Sequence, residues 1–245
     1  MVRHVHAGRL MYPTLAEVPT HGLFVALGIA VAALVFTVEA RRRGATDERM
    51  LYIVMGALLG GAIFMRLGTW AQHLDPSANA SLVEQWVRGN RSILGGLVGA
   101  WLGVHVAKWV VGYRARTGDL FAPAVAAGMA VGRIGCYLSE SPAGRSLHWT
   151  FLAESAFHAV AFVALWWWLR HRDLPPGETF VWYVAAYGLF RFGIEFWRGN
   201  EVAWQGLTRP QLFLAVTIPF VLARIWWRWR RDVETTAPTT QEVPA

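Results

Sequence analysis

Residues Leu120–Leu138 read LFAPAVAAGMAVGRIGCYL, nineteen residues with a single charge, Arg133. At about 1.5 Å of rise per residue, such a run forms a helix about 28 Å long, close to the hydrocarbon thickness of a bilayer. The stretch is therefore read as a membrane-spanning helix, and it sets the class of the whole chain.

Outward from it, six further apolar segments run from His21 to Val38, Met50 to Trp70, Ser92 to Val111, Phe151 to Leu169, Thr179 to Trp197 and Gln211 to Trp227. The expected architecture is thus an all-α integral membrane protein of about seven spanning helices. Composition agrees: 55% of the 245 residues are hydrophobic and 16% charged, against about 25% charged in soluble domains. Mean hydropathy is +0.33. Disorder, collagen and disulfide scaffolds are excluded, and the lone Cys136 has no intramolecular partner. A net charge of +7 would suggest nucleic acid in a soluble protein. Here the basic residues cluster between apolar segments, where they set topology, so no nucleic-acid partner is expected.

Residues 1–20 form an outer N-terminal segment without the pattern of a cleavable signal, 21–231 a single transmembrane domain, and 232–245, rich in Thr and Pro, a disordered cytoplasmic tail. The stretch from Gln72 to Asn90 reads equally as an interfacial helix on the outer face or as an ordinary loop. No internal repeat is visible, which disfavours an inverted-repeat transporter. Orientation follows from flanking cations. With the N-terminus outside, the inner face receives Arg41, Arg42, Arg43, Arg49, Lys108, Arg114, Arg116, Arg170, Arg172, Arg228, Arg230 and Arg231. The outer face receives Arg3, Arg9, Arg88, Arg91, Arg145, Arg198 and Arg209. The excess inside predicts N-terminus out and C-terminus cytoplasmic.

Arg66, Arg133 and Arg191 fall within apolar segments, where each costs about 2.5–3.5 kcal/mol unless it faces a partner, a cavity or an ionic ligand. Counting helical rise, Arg66 lies about 6 Å from the end of its segment at Trp70, Arg133 about 8 Å from Leu138 and Arg191 about 9 Å from Trp197. All three fall in the outer third of the bilayer. Glu154 falls at similar depth, and Glu140 lies just past the helix of Arg133. Tyr187, Arg191, Glu195 and Arg198 recur at helical spacing on one face. Gly128, Gly132 and Gly135 leave a stripe without side chains, and Gly60–Gly61 and Gly95, Gly96 and Gly99 thin two more helices. Arginine's planar fork suits a phosphate, so a phospholipid headgroup reached from the outer leaflet is the expected ligand. The plainer alternatives are structural ion pairs and glycines that only pack helices.

Several of these residues resemble the motifs of the prolipoprotein diacylglyceryl transferase family, in order across all seven segments. Gly132-Arg133-Ile134-Gly135-Cys136-Tyr137 with Gly144-Arg145 is similar to its GRxGNF signature and trailing glycine. Asp119 to Pro123 resembles D-x-x-x-P, Arg66-Leu67-Gly68 resembles R-L-G, and Gly95-Gly96-Leu97-Val98-Gly99 resembles H-G-G-L-I-G. Tyr187 to Arg198 resembles Y-G-x-x-R-x-x-x-E-x-x-R. Glu154 fits the glutamate of L-Y-E, and Gln211 the glutamine opening the last helix.

The resemblance implies transfer of the diacylglyceryl group of phosphatidylglycerol to the thiol of a prolipoprotein lipobox cysteine, with glycerol phosphate leaving. It implies a multi-pass protein of the bacterial cytoplasmic (inner) membrane, with its site toward the outer leaflet and no metal or redox cofactor. Carried over by position, Arg133, Arg191, Glu154 and Glu195 are the candidate catalytic residues. Arg66, Gly95, Gly96, Cys136, Glu140, Gly144, Tyr187, Arg198 and His21 are the candidate substrate-binding residues. Four positions depart from the pattern. Leu94 replaces the histidine expected before Gly95, Cys136 replaces the signature asparagine, His21 stands for a tyrosine, and Glu140 is displaced by one place or is not the matching glutamate. These departures leave open a paralogue that transfers a glycerolipid group to a different acceptor, or a non-catalytic phospholipid-binding protein. Cys136 is either an activated thiol or an inert buried one, and His21 either a base or an interfacial residue. His4 and His6 are weak metal ligands in a terminal segment. His73, His105, His148, His158 and His171 are assigned no role.

Overall fold

All seven apolar segments fold as helices in the computed structural model, which describes residues 14–15, 18–70, 77, 79–88, 91–139, 149–168, 171–172 and 175–236. They are α1 (Thr20–Arg42), α2 (Arg49–Leu67), α4 (Ile93–Val110), α5 (Gly118–Ser139), α6 (Trp149–Val163), α7 (Glu178–Ile194) and α8 (Arg209–Thr236). A short α3 (Leu82–Arg88) forms within the stretch that reads as either interfacial helix or loop. Two small hairpins complete the described elements: β1 (Thr14–Leu15) with β2 (Val18–Pro19), and β3 (Val202–Trp204) with β4 (Leu207–Thr208).

Among the described residues six helices are long and apolar enough to cross a membrane, α6 being extended to Trp168 by a wider π turn from Ala164. The remaining one, α7, has 17 residues. Its start is marked by the N-cap Gly177, whose φ of 83° lies outside the helical region. Its end is set by tightening into a 3-10 turn over Glu195–Trp197. Large apolar side chains point outward, with Leu34, Leu51, Trp109, Val160 and Phe220 each more than half exposed. Such faces suit hydrocarbon rather than water. At the C-terminus the helix extends beyond the expected boundary at Arg231 to Thr236. Nothing in 232–236 breaks a helix, and Pro238 is the first residue that disfavours one, acting on the position before it.

The contacts divide the chain into two compact units, 37–116 and 1–36 with 117–245. In 37–116, α2 and α4 meet backbone to backbone. A Cβ placed on Gly60 would strike the Gly99 carbonyl, and one on Gly56 would lie 2.6 Å from the Gly103 carbonyl. This is small-residue packing, in which dispersion rather than hydrophobic burial holds helices together in lipid. Ser92 caps α4 by accepting from the Gly95 amide at 3.1 Å. The Glu39 carboxylate accepts from Arg42 at 2.5 Å and Arg43 at 2.6 Å. In the following loop, hydrogen bonds from Arg49 hold the Asp47 carboxyl below its usual range.

In the other unit α1 lies against α5, where a Cβ on Gly28 would come within 2.7 Å of the Gly128 carbonyl and one on Gly135 within 2.5 Å of Phe24. Ala122 and Ala126 of α5, Leu165 and Tyr183 form a buried core that Phe157, Phe162 and Phe180 extend. Asp119 accepts from the Gly177 and Thr179 amides at 2.8 and 3.2 Å, satisfying donors at the start of α7 that a helix leaves unpaired. Glu178 of α7 pairs with Arg224 of α8 at 2.9 Å and Arg228 at 3.1 Å. These contacts fix α5, α6, α7 and α8 around the charged residues at their opposite ends.

Candidate active site

Glu154 of α6 is fully buried, and three guanidinium groups converge on it. Arg133 Nη2 of α5 lies 2.5 Å from its Oε2. Arg191 Nε of α7 lies 3.2 Å from Oε1, and Arg198 Nη1 lies 2.8 Å from the same oxygen. Arg191 and Glu195 are one helical turn apart, and Arg191 Nη1 also donates to Glu195 Oε2. The Phe151 ring lies 5.8 Å from the Arg133 guanidinium and 4.5 Å from that of Arg198, giving both cations an aromatic face.

A second layer holds Glu195. Its Oε1 accepts from Asn200 Nδ2 at 2.5 Å and from the Thr208 hydroxyl at 3.0 Å. Gln211 Oε1 accepts from the Thr208 amide at 2.9 Å, while its Nε2 donates to the Phe192 carbonyl at 3.2 Å. The β3–β4 hairpin brings Thr208 back to α7 through a two-residue turn, Gln205–Gly206, with positive φ at both positions. Sequence reasoning missed Asn200, Thr208 and Phe151. The hairpin's signal was the glycine at 206 between two short apolar stretches, too slight to weigh in a chain of long helices.

Cys136 lies one turn beyond Arg133 on α5. Its Sγ is 3.7 Å from His21 Nδ1 of α1 and 4.0 Å from Arg133 Nη1. Tyr187 is buried one turn from Arg191. Its hydroxyl and Arg133 Nε make no hydrogen bond among the described residues. Gly132, unlike Gly128 and Gly135, meets no neighbour among the described residues where a Cβ would stand.

The geometry thus brings together eight of the sequence-derived residues: Arg133, Arg191, Glu154, Glu195, Arg198, Tyr187, Cys136 and His21. Arg66, Gly95 and Gly96 belong to 37–116. There Arg66 donates to the Trp86 carbonyl of α3 and lies 5.9 Å from the Trp86 ring. A Cβ on Gly95 would meet the Phe64 carbonyl at 2.5 Å, so this glycine is used for close packing of α4 on α2. At Gly96 the nearest neighbour would be Met65 at 3.5 Å, an ordinary contact. Glu140 and Gly144 lie outside the described residues.

The charge count of the cluster decides what it can hold. Three guanidinium groups meet two carboxylates, leaving one positive charge in excess within a low-dielectric site. Both carboxylates are occupied by guanidinium groups, a donor set that suits an anion rather than a metal cation. A single phosphodiester would balance it, and arginine forks match phosphate oxygens.

The family model described as "Prolipoprotein diacylglyceryl transferase" matches residues 11–229. A phosphatidylglycerol--prolipoprotein diacylglyceryl transferase of Pseudomonas aeruginosa (strain LESB58) is 30% identical, across 86% of this chain and 90% of that protein. One from Geobacillus kaustophilus (strain HTA426) is 28% identical across 84% and 86%. A Clostridium perfringens (strain 13 / Type A) protein named phosphatidylglycerol--prolipoprotein diacylglyceryl transferase 2 is 26% identical across 82% and 87%. No solved structure matches the chain.

Proposed function

The chain belongs to the prolipoprotein diacylglyceryl transferase family, and from that premise we propose that it moves the diacylglyceryl group of phosphatidylglycerol onto the thiol of a prolipoprotein lipobox cysteine. The observation that carries this reading is the single excess positive charge of the Arg133–Glu154–Arg191–Arg198–Glu195 cluster. It matches the one negative charge of a phosphatidylglycerol phosphodiester. Residues 21–231 act as one transferase domain in the bacterial cytoplasmic membrane, with α7 as the seventh crossing, the N-terminus outside and the site toward the outer leaflet.

In the reaction, the acceptor sulfur attacks the glyceryl carbon next to the phosphate. The carbon–oxygen bond breaks, its electron pair leaves with glycerol phosphate, and a thioether forms. Arg133 and Arg191 hold the phosphate and stabilise the charge that grows on its leaving oxygen. Arg133 Nε, which has no acceptor among the described residues, serves that purpose. Glu154 and Glu195 aim the guanidinium groups, Arg198 completes the headgroup site, and Tyr187 binds the lipid beneath it. His21 takes the thiol proton, with Cys136 beside it. Glu140 and Gly144 serve substrate binding.

A second reading rests on Leu94, which stands where the family's histidine is expected, and on the Cys136–His21 pair. In it the lipid donor is kept and the acceptor is different. Both readings are tested by incubating the purified protein with labelled phosphatidylglycerol and a lipobox peptide, with Arg133→Ala as control, and following lipid and peptide by mass spectrometry. A diacylglyceryl thioether on the peptide, absent in the control, is expected. Lipid consumption with an unmodified peptide would favour the second reading, and untouched lipid would sink both.

A further inference from the structure

His158 lies on α6 one turn inward from Glu154 and is fully buried. Its Nδ1 is 3.0 Å from the Tyr183 hydroxyl. Tyr183 makes no other side-chain hydrogen bond among the described residues, so we assign the tautomer that satisfies its hydroxyl, with the proton donated to Nδ1 and the imidazole hydrogen on Nε2. Among the described residues Nε2 then has no acceptor. A buried donor left without an acceptor is costly enough that native structures rarely keep one. The buried Tyr187 hydroxyl faces the Arg133 guanidinium, so its O–H hydrogen likewise has no acceptor among the described residues, and the two rings lie 4.6 Å apart. Two unsatisfied donors from facing helices therefore stand side by side.

Their depth identifies what they await. Four residues separate His158 from Glu154, and four separate Tyr187 from Arg191, so both lie about 6 Å further from the helix ends that carry the charged cluster. Around them are Phe157 and Phe190, stacked at 4.5 Å. In a glycerophospholipid whose phosphate sits on the arginines, the next polar atoms toward the membrane centre are the acyl ester carbonyls. These are acceptors only, the complement of two donors in an apolar surround.

We infer that His158 and Tyr187 form an ester-carbonyl subsite that makes the protein selective for diacyl over dialkyl glycerolipids. The inference rests on the phosphate-clamp reading above and deepens it. An ether oxygen at the same place is a poorer acceptor and has no carbonyl to present, so the dialkyl lipid leaves the donors unpaired. His158 is a specificity-determining residue that touches the part of the lipid that does not react.

The test compares phosphatidylglycerol in diacyl and dialkyl forms of equal chain length. Binding to the purified full-length protein is read by native mass spectrometry, and transfer to the lipobox peptide is read in parallel. Wild type is expected to bind the diacyl lipid about five- to tenfold more tightly, the worth of one good hydrogen bond. His158→Phe and His158→Leu should bring that ratio near one by weakening binding of the diacyl lipid, and His158→Gln, whose amide can donate from a similar position, should restore it. A wild-type ratio of one would overturn the inference without any variant, as when the donors hold only a buried water. So would an unchanged ratio in a folded His158→Phe or His158→Leu protein. A ratio that behaves as expected without any transfer would uphold the subsite while removing the transferase reading. Transfer with no lipid preference would do the reverse.

Discussion

Arg133 of α5 and Glu154 of α6 meet at 2.5 Å with both side chains buried, and this pair is the centre to which Arg191 and Arg198 attach. A buried ion pair need not stabilise a protein relative to an apolar pair, but removing one partner leaves an uncompensated charge. The cluster is therefore both a binding site for an anion and a constraint on how α5, α6 and α7 pack.

Glu154→Gln leaves three guanidinium groups facing one another with their shared acceptor neutralised. The expected loss of stability is about 3–5 kcal/mol. Thermal unfolding in detergent should show a clearly lower Tm than wild type, and added phosphatidylglycerol should recover part of the difference. A Tm unchanged by the substitution would mean the arginines are not held as described.

Arg133→Lys keeps the charge and loses the planar fork. If the fork stabilises the leaving phosphate, kcat for transfer should fall about 10²–10³-fold with a smaller change in KM. Steady-state kinetics on phosphatidylglycerol check this, and a variant with near-normal kcat would remove Arg133 from the chemistry.

Thr208→Val and Asn200→Ala each remove one hydrogen bond to Glu195 without disturbing a charge. Each should reduce kcat/KM by up to about tenfold, the range of a single hydrogen bond, while the protein stays folded. Paired with Glu195→Gln, either loss should largely disappear, because the hydroxyl and amide act through the carboxylate.

His21 as base requires the neutral imidazole. Transfer should therefore be lost on the acid side, where the imidazole is protonated, and rise to a plateau as pH increases. The rise should vanish in His21→Ala. An identical profile in both proteins would assign the proton to another group.

Gly60→Leu tests the packing of α2 on α4. Its Cβ would strike the Gly99 carbonyl, and backbone cannot yield as a flexible side chain can. Poor accumulation in the membrane and a lowered Tm are expected, whereas Gly132→Ala, with no neighbour among the described residues at its Cβ position, should be tolerated structurally.

The helices were legible because hydrocarbon imposes long apolar runs, and a run such as Leu120–Leu138 admits little else. The arginines were legible for the complementary reason, since a charge in such a run demands an explanation. The partners that satisfy those charges were harder to see. Asn200 and Thr208 come from a short hairpin whose register depends on a two-residue turn. Phe151 looked like any other apolar residue of its helix. His158 gains no role from the sequence because one histidine in a spanning segment carries no spacing signal, and its Nε2, unpaired among the described residues, becomes visible only once Tyr183 stands against Nδ1. Glycines gave a mixed result: Gly128 and Gly135 serve close packing on α1, and only Gly132 of that stripe leaves space.

The central claim is that the arginine cluster holds the phosphate as part of the leaving group. It is tested most directly with phosphatidylglycerol carrying oxygen-18 in the bridge between the diacylglyceryl carbon and phosphorus. After reaction with the lipobox peptide, the account predicts that all of the label is found in glycerol phosphate and none in the lipid-modified product. Label retained on released diacylglycerol would mean that the phosphorus–oxygen bond is the one cleaved, and would contradict the account.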